Sequence, residues 1–269
     1  MSGGQAAGVP AQTDTIPDPA TSAGAAPTWR AVLAQAGMEL RLTARRGENV
    51  LVTIVIPAAV LVFFGSVPVF EPGSGGTLAS LVPGVLALAV IATSLVNLGI
   101  ATAYERSYGV LKRLGGTPLP RGGLVAAKIA SVAVVEAFQV ALLVAIAALM
   151  GWRPGDGWDL LLALVALALG TLAFSGLGLA MAGALRAEAT LALANALFLV
   201  FLLLGGVVVP VDRLPDAVAT LARLLPAAAL SQALRVALGS GGDATGPLAV
   251  LVAWGVGATA VAVATFRWE

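Results

Sequence analysis

Glu136 is the lone charge in an apolar run from Ile129 to Met150, and Gln139 follows it one helical turn later on the same face. A carboxylate at that depth in lipid costs a few kcal/mol, so it must face protein or a water-filled cavity. Two roles suit it. One is a polar lining for a substrate or a coupling motion; the other is an inter-helix hydrogen bond, with or without a bound proton, to a group such as Asn97 or Ser94. Asn195, in a later run, carries the same choice. Covalent chemistry has few candidates: the chain contains no His and no Cys, which removes thiol catalysis, disulfides, the usual zinc sites and the commonest general base. No G-x-S-x-G elbow and no paired acids suited to metal-dependent lipid transfer occur, so an intramembrane protease or lipid transferase lacks its residues.

A second group lies between two apolar runs. Glu105 and Arg106 open it, and the stretch GVLKRLGGTPLPR follows, in which Leu111 and Leu114 stand beside Lys112 and Arg113. This predicts a short helix with apolar knobs and basic flanks, stopped by Gly115 and Gly116 and then by Pro118 and Pro120. On residue type alone, Glu105 and Arg106 also fit ordinary membrane-boundary charges. Asp212, Arg213 and Asp216 in a later loop read as solvated or mutually paired, worth under about 1 kcal/mol.

The elements that must hold these residues are six apolar stretches, approximately Asn49 to Phe70, Leu78 to Ala103, Ile129 to Met150, Leu160 to Leu185, Ala189 to Val211 and Ala244 to Phe266. A hydrocarbon core about 30 Å thick needs roughly 20 residues of helix, and each stretch meets that length. Composition agrees: 59% hydrophobic residues and 11% charged residues lie far from the balance of a soluble domain, as does a mean hydropathy of +0.96. The runs lack the alternation of a membrane barrel, and in lipid the remaining solution is the helix, which satisfies its backbone within one segment. An all-α membrane protein with six transmembrane helices follows.

Placing the N-terminus in the cytoplasm puts eleven Lys and Arg residues inside and leaves only Arg153, Arg213, Arg223 and Arg235 outside. That is the positive-inside bias, so both termini are expected in the cytoplasm. The first apolar run starts about fifty residues in and is too long for a signal-peptide core, so it reads as a retained helix. Residues 1–27, rich in Ala, Gly, Pro, Ser and Thr, read as a disordered cytoplasmic tail. Next, Trp29, Val32, Leu33, Ala36 and Leu40 fall in one sector at 100° per residue, while Arg30, Gln35, Glu39, Arg41 and Arg45 lie elsewhere. An amphipathic helix at the inner membrane surface is expected, capped by Thr28.

Pro57 and Pro83 sit inside the first two spans, where kinks could shape a cavity or serve packing. Small residues at four-residue spacing, Gly176, Ala180 and Ala184 in the fourth span and Ala253 and Gly257 in the sixth, suggest close helix packing. The loop of about thirty residues from Pro210 to Gly239 is too long for a tight connection. Val218, Leu221 and Leu225 share one helical face; Pro226 breaks the run; Leu230, Leu234 and Leu238 share another. Two short helices dipping toward the outer leaflet are predicted.

After residue 28 the chain resembles the membrane subunit of type-2 ATP-binding-cassette (ABC) exporters, the permeases that include drug-resistance and polysaccharide exporters. YERSYGVLKRLGGTPLPRGGLVAAKI is similar to that family's cytoplasmic segment, and GGVVVPVDRLPDAVATLARLLPAAALSQALR to its outer segment before the last helix. The resemblance implies that residues 28–269 form a six-helix transmembrane domain. Glu105, Arg106, Leu111, Arg113 and Leu114 would form a coupling elbow on a separate ABC ATPase subunit, and two permease chains, identical or not, would enclose the pathway. Glu136, Gln139 and Asn97 are the candidate lining. Ser107 stands where the family often has a second acid after Glu-Arg, so a charge triad there is not implied.

The chain has no G-x-x-x-x-G-K-[ST] phosphate loop, so it would have no catalytic site, metal or cofactor of its own, ATP and Mg belonging to the partner ATPase. Membrane lipid is its other implied partner, no nucleic acid is implied, and the expected location is the cell's inner (plasma) membrane. With only two Tyr, both near the elbow, and stacking aromatics expected along a glycan path, a hydrophobic or amphiphilic substrate such as a drug or lipid is favoured. A glycan-exporting permease and a non-transporting membrane scaffold are the alternatives.

Overall fold

The computed structural model describes residues 28–45, 47–67, 76–114, 120–206 and 215–265, and no strand occurs among them. The tail at 1–27 lies outside the described residues. So do Arg46, Asp212, Arg213 and Arg267, and the stop signals Gly115, Gly116 and Pro118.

The regular elements, in order, are α1 (Thr28–Arg45), α2 (Gly47–Ser66), α3 (Gly76–Val90), a π-helical segment (Ile91–Asn97), α4 (Leu98–Ser107), α5 (Val110–Leu114), α6 (Arg121–Leu149), α7 (Leu160–Ala184), α8 (Ala187–Leu204), α9 (Asp216–Arg223), α10 (Pro226–Arg235), a second π segment (Val236–Ser240) and α11 (Thr245–Thr265). Among the described residues, five helices are long and apolar enough to cross a bilayer: Thr77–Ser107, Arg121–Leu149, Leu160–Ala184, Ala187–Leu204 and Thr245–Thr265. The chain is an all-α membrane protein. Where the first span is expected, α2 runs 20 residues with Pro57 inside it, and its stretch Thr53–Ser66 is apolar.

The ends differ from the hydropathy reading for local reasons. The second span is one helix of 31 residues, because the π segment and α4 continue it without a break. The third begins at Arg121, where Pro120 supplies an extended N-cap and the polar first turns stand clear of the apolar run. The fifth closes at Leu204, where Gly205 accommodates a turn. Asp159 caps α7 by accepting from Leu162 N at 3.0 Å.

The centre of the bundle is α3 with its π segment. Val82, Ala87, Ala89, Val90 and Ile91 are buried on every side of the helix, against Leu143 of α6, Phe174 of α7, Phe201 of α8 and Leu230 of α10. Small residues let the helices approach, as the spacing predicts: a Cβ on Gly176 would lie 2.7 Å from Thr259 N of α11. Gly257 faces open space instead, and a further close approach joins Gly99 of α4 to Gly178 of α7, where a Cβ on Gly99 would sit 3.1 Å from the facing Cα.

On two amphipathic helices the buried side is not the most apolar one. On α1 the side packed on α6 carries Val32, Ala36 and Glu39, whereas Trp29 and Leu33 are exposed. On α9 Ala219 and Ala222 are buried, while Leu221 points away from the protein. In both cases lipid is as apolar as Leu, so burial selects the small or hydrogen-bonding side rather than the most apolar one. Leu230 and Leu234 of α10 do face inward, and α9 and α10 meet at a sharp bend of 87°.

Candidate functional site

The buried polar side chains of the spans converge on the π segment. A wide π turn places Thr93, Ser94 and Asn97 toward α6 and breaks the regular ladder, a device that recurs at functional sites. Glu136 of α6 is 4% exposed and accepts from Ser94 Oγ and from Thr171 Oγ1 of α7. Gln139 accepts from Thr93 Oγ1 at 2.9 Å and donates to the Thr53 carbonyl of α2 at 2.7 Å. The two side chains that share a face of α6 thus tie α2, the π segment and α7 together. As a carboxylate, Glu136 accepts both hydroxyl protons; as an acid it can give its own to one hydroxyl, which frees Thr171 for the Leu167 carbonyl 2.9 Å away.

Of the two partners expected for Glu136, Ser94 is the one bonded. Asn97 is half-buried and borders two cavities. The larger, about 420 Å³, is walled by Thr53, Ile56 and Pro57 of α2, Val96 and Asn97, and Asn195 and Phe198 of α8. Pro57 therefore stands at a cavity wall. Asn195 donates to its own helix, to the Leu191 carbonyl at 2.8 Å.

The elbow is locked by ions. Lys128 of α6 is 1% exposed, and its Nζ lies 2.7 Å from Glu105 Oε2 and 2.9 Å from Glu39 Oε1 of α1. The neighbouring Arg106 donates to the Gly183 and Leu185 carbonyls, satisfying acceptors that the end of α7 would leave open. Between them α5 turns Leu111 inward: it is 0% exposed among Leu98, Leu124, Val125 and Leu179. Leu114 packs at the edge of that cluster. The outward surface of the elbow is instead Tyr108, Val110, Lys112 and Arg113.

Glu39 and Lys128 are the residues that sequence reasoning left out of the site. Their signal was present, since a lysine on the apolar side of α6 and a glutamate in line with the packed side of α1 both demand partners. A cavity of about 60 Å³, room for a few waters, joins the two groups: Glu39, Glu105 and Lys128 line it together with Thr93, Asn97 and Ser131. The elbow and the buried polar ladder are therefore one contiguous polar region, reached from α1, the second span and α6.

Comparison with known proteins gives the family. The chain matches the family described as ABC-2 type transporter over residues 31–238. It is also similar to "Putative transport permease YvfS" of Bacillus subtilis (strain 168), 26% identical over 197 residues that cover 70% of this chain and 77% of that protein. The match takes in the elbow, the polar ladder and both short helices α9 and α10, and it extends over most of the chain. This protein belongs to the ABC-2 type transporter family, as a transmembrane subunit of a transporter whose ATP hydrolysis is carried out on a separate subunit.

Proposed function

We propose that the chain is the permease half of an exporter for a hydrophobic or amphiphilic substrate such as a drug or lipid, worked by an ABC ATPase that seats on the elbow. The observation that carries this reading is the cavity of about 60 Å³ shared by Glu105 at the elbow and Asn97 and Thr93 beside the ladder. Movement of α5 acts on Glu105, Glu105 acts on Lys128, and Lys128 belongs to the same helix as Glu136 and Gln139. Tyr108, Val110, Lys112 and Arg113 are the face offered to the ATPase.

The path lies where α2 and α8 border the cavity of about 420 Å³, and a second permease chain closes it. In this reading α2 is the first of six spans, α9 and α10 form a bent pair in the outer half of the membrane, and both termini lie in the cytoplasm at the inner membrane.

The chain's lack of Cys makes the topology directly testable. Single cysteines at Ala34 and Ala217 should label from opposite sides of the membrane, and labelling from the same side would overturn it. For function, the permease is expressed with a candidate ABC ATPase from its own source, and inside-out vesicles are supplied with a lipophilic fluorescent amphiphile. ATP-dependent uptake that disappears on Lys112→Glu/Arg113→Glu is expected. Uptake indifferent to ATP, or an ATPase that fails to co-purify with the parent chain, would sink the proposal.

A further inference from the structure

At the end of the bundle away from the elbow, α9, α10 and the start of α11 surround a third cavity, of about 460 Å³. Its walls include Arg223, Gln232 and Asp243 together with Leu224, Pro247 and Val250. This volume and mixture suit a site for a small amphiphile.

The charges are arranged by depth. Trp254 Nε1 of α11 donates to the Leu224 carbonyl at 2.9 Å. Trp254 is nine residues past Thr245, so the end of α9 is fastened about 14 Å down the helix at 1.5 Å per residue. Around that level α9 shows lipid-facing leucines, with Leu221 67% and Leu224 61% exposed. Arg223 is therefore rooted at apolar depth, where a guanidinium must run along the cavity toward polar groups.

Asp243 stands at the rim instead, before α11 begins. Its Oδ1 accepts from Thr245 N at 2.9 Å and from Thr245 Oγ1 at 2.7 Å, and these bonds hold its carboxyl below the usual range. From the membrane outward the cavity thus presents apolar side chains, then a cation, then an anion. A zwitterionic phospholipid has the complementary order: acyl chain, phosphate, ammonium. An anionic lipid without an ammonium group matches the first two levels and meets only repulsion at the third.

We propose that this cavity binds a zwitterionic phospholipid of the leaflet away from the elbow, with its phosphate on Arg223, its headgroup ammonium on Asp243 and an acyl chain along Leu224 and Val250. The site does not depend on the identity of the exported substrate or on the ATPase.

The test is native mass spectrometry of the purified full chain, delipidated and then exposed to mixed vesicles of phosphatidylethanolamine and phosphatidylglycerol. The parent chain should retain the ethanolamine lipid in preference. Arg223→Gln should lower retention of both lipids about tenfold, the scale of losing one charge-assisted hydrogen bond, and Arg223→Lys should restore most of it. Asp243→Asn, which still caps α11, should keep binding but lose the preference for the ethanolamine headgroup. Melting temperatures in lipid-free detergent should match among the four chains. Equal retention of the two lipids by the parent, unchanged retention in Arg223→Gln, or displacement of lipid by millimolar inorganic phosphate would each overturn the proposal.

Discussion

At the elbow end the helices are joined through long side chains. Lys128 spans α6 to α1 and α4, Arg106 reaches the end of α7, and a small cavity lies among them. At the far end they are joined through backbone. Gly155 N donates to the Leu238 carbonyl at 2.9 Å and Asp159 N to the Ala237 carbonyl at 2.8 Å. A Cβ on Gly239 would lie 2.6 Å from the Gly155 backbone, and one on Gly170 2.8 Å from Leu230. Arg235 at this end is likewise bonded to carbonyls, those of Ser80 at 3.0 Å and Gly206 at 2.7 Å. Ion pairs on flexible stems can change partners over several ångströms, whereas glycine contacts hold one arrangement or break. In the proposed function the elbow end is the one displaced, and the far end stays closed while that happens.

The sharpest way to break this contrast is Lys128→Met. Removing the cation leaves Glu39 and Glu105 together and nearly buried, a loss of roughly 3–5 kcal/mol for a buried pair stripped of one member. A large fall in melting temperature of the purified chain is expected, with recovery when Glu39→Gln and Glu105→Gln are added. If the single change is silent, the elbow is not held by ions.

At the far end Gly239→Ala meets two obstacles, a φ of 93° and backbone within 2.7 Å. A cost of roughly 1–3 kcal/mol is expected, without rescue by any second charge change. ATPase recovery per folded molecule should stay normal, because the lesion is remote from the elbow. Selective loss of the ATPase would reverse the assignment of roles to the two ends.

Glu136 tests the region between them. Glu136→Leu strands the hydroxyls of Ser94 and Thr171, at about 1–3 kcal/mol, while Glu136→Gln can accept from one and donate to the other and should melt near the parent. Substrate efflux is measured beside stability in both. A Gln variant that folds but transports slowly places the carboxyl in the pathway; one that matches the parent in both leaves it a packing group.

The smallest expected change in stability, within about 0.5 kcal/mol, belongs to Lys112→Glu/Arg113→Glu on the exposed side of α5. Its effect should appear in recovery of the ATPase and in the uptake that depends on it. Equal recovery would show that the outward face of the elbow is not the seat.

Length and hydropathy made the spans readable, because the thickness of a bilayer is a physical constant of the problem. The depth argument for Glu136 likewise led to Ser94, since an isolated carboxylate there has few polar neighbours to choose from. Facing was another matter. Leu111 reads as a knob for a partner and is buried in its own chain; Leu221 shares an apolar face with Val218 and Leu225, and that face does not tell that it points away from the protein. Apolarity cannot distinguish the protein interior from lipid, so a hydrophobic stripe fixes that a helix lies in the membrane without fixing which side is inside. What does turn a helix is the exception to apolarity, such as Glu39 on α1, Lys128 on α6 or Gly178 on α7, and those contacts join residues far apart in the chain, so the sequence shows that a partner is needed without showing which.

The π segment at Ile91–Asn97 has a consequence for how this chain can change. A π turn amounts to one residue more than an α-helix needs, so deleting any single residue between 91 and 97 would let the second span relax into an unbroken α-helix. Because the wide turn already absorbs that residue, the two ends of the span would keep their phase: Gly99 would still face Gly178 and Glu105 would still reach Lys128. What would be lost is the aim of the segment itself, which holds Thr93 against Gln139 and Ser94 against Glu136. The span would remain as apolar as before and long enough to insert. A three-nucleotide loss would thus dismantle the polar ladder while leaving the packing on either side of it in place.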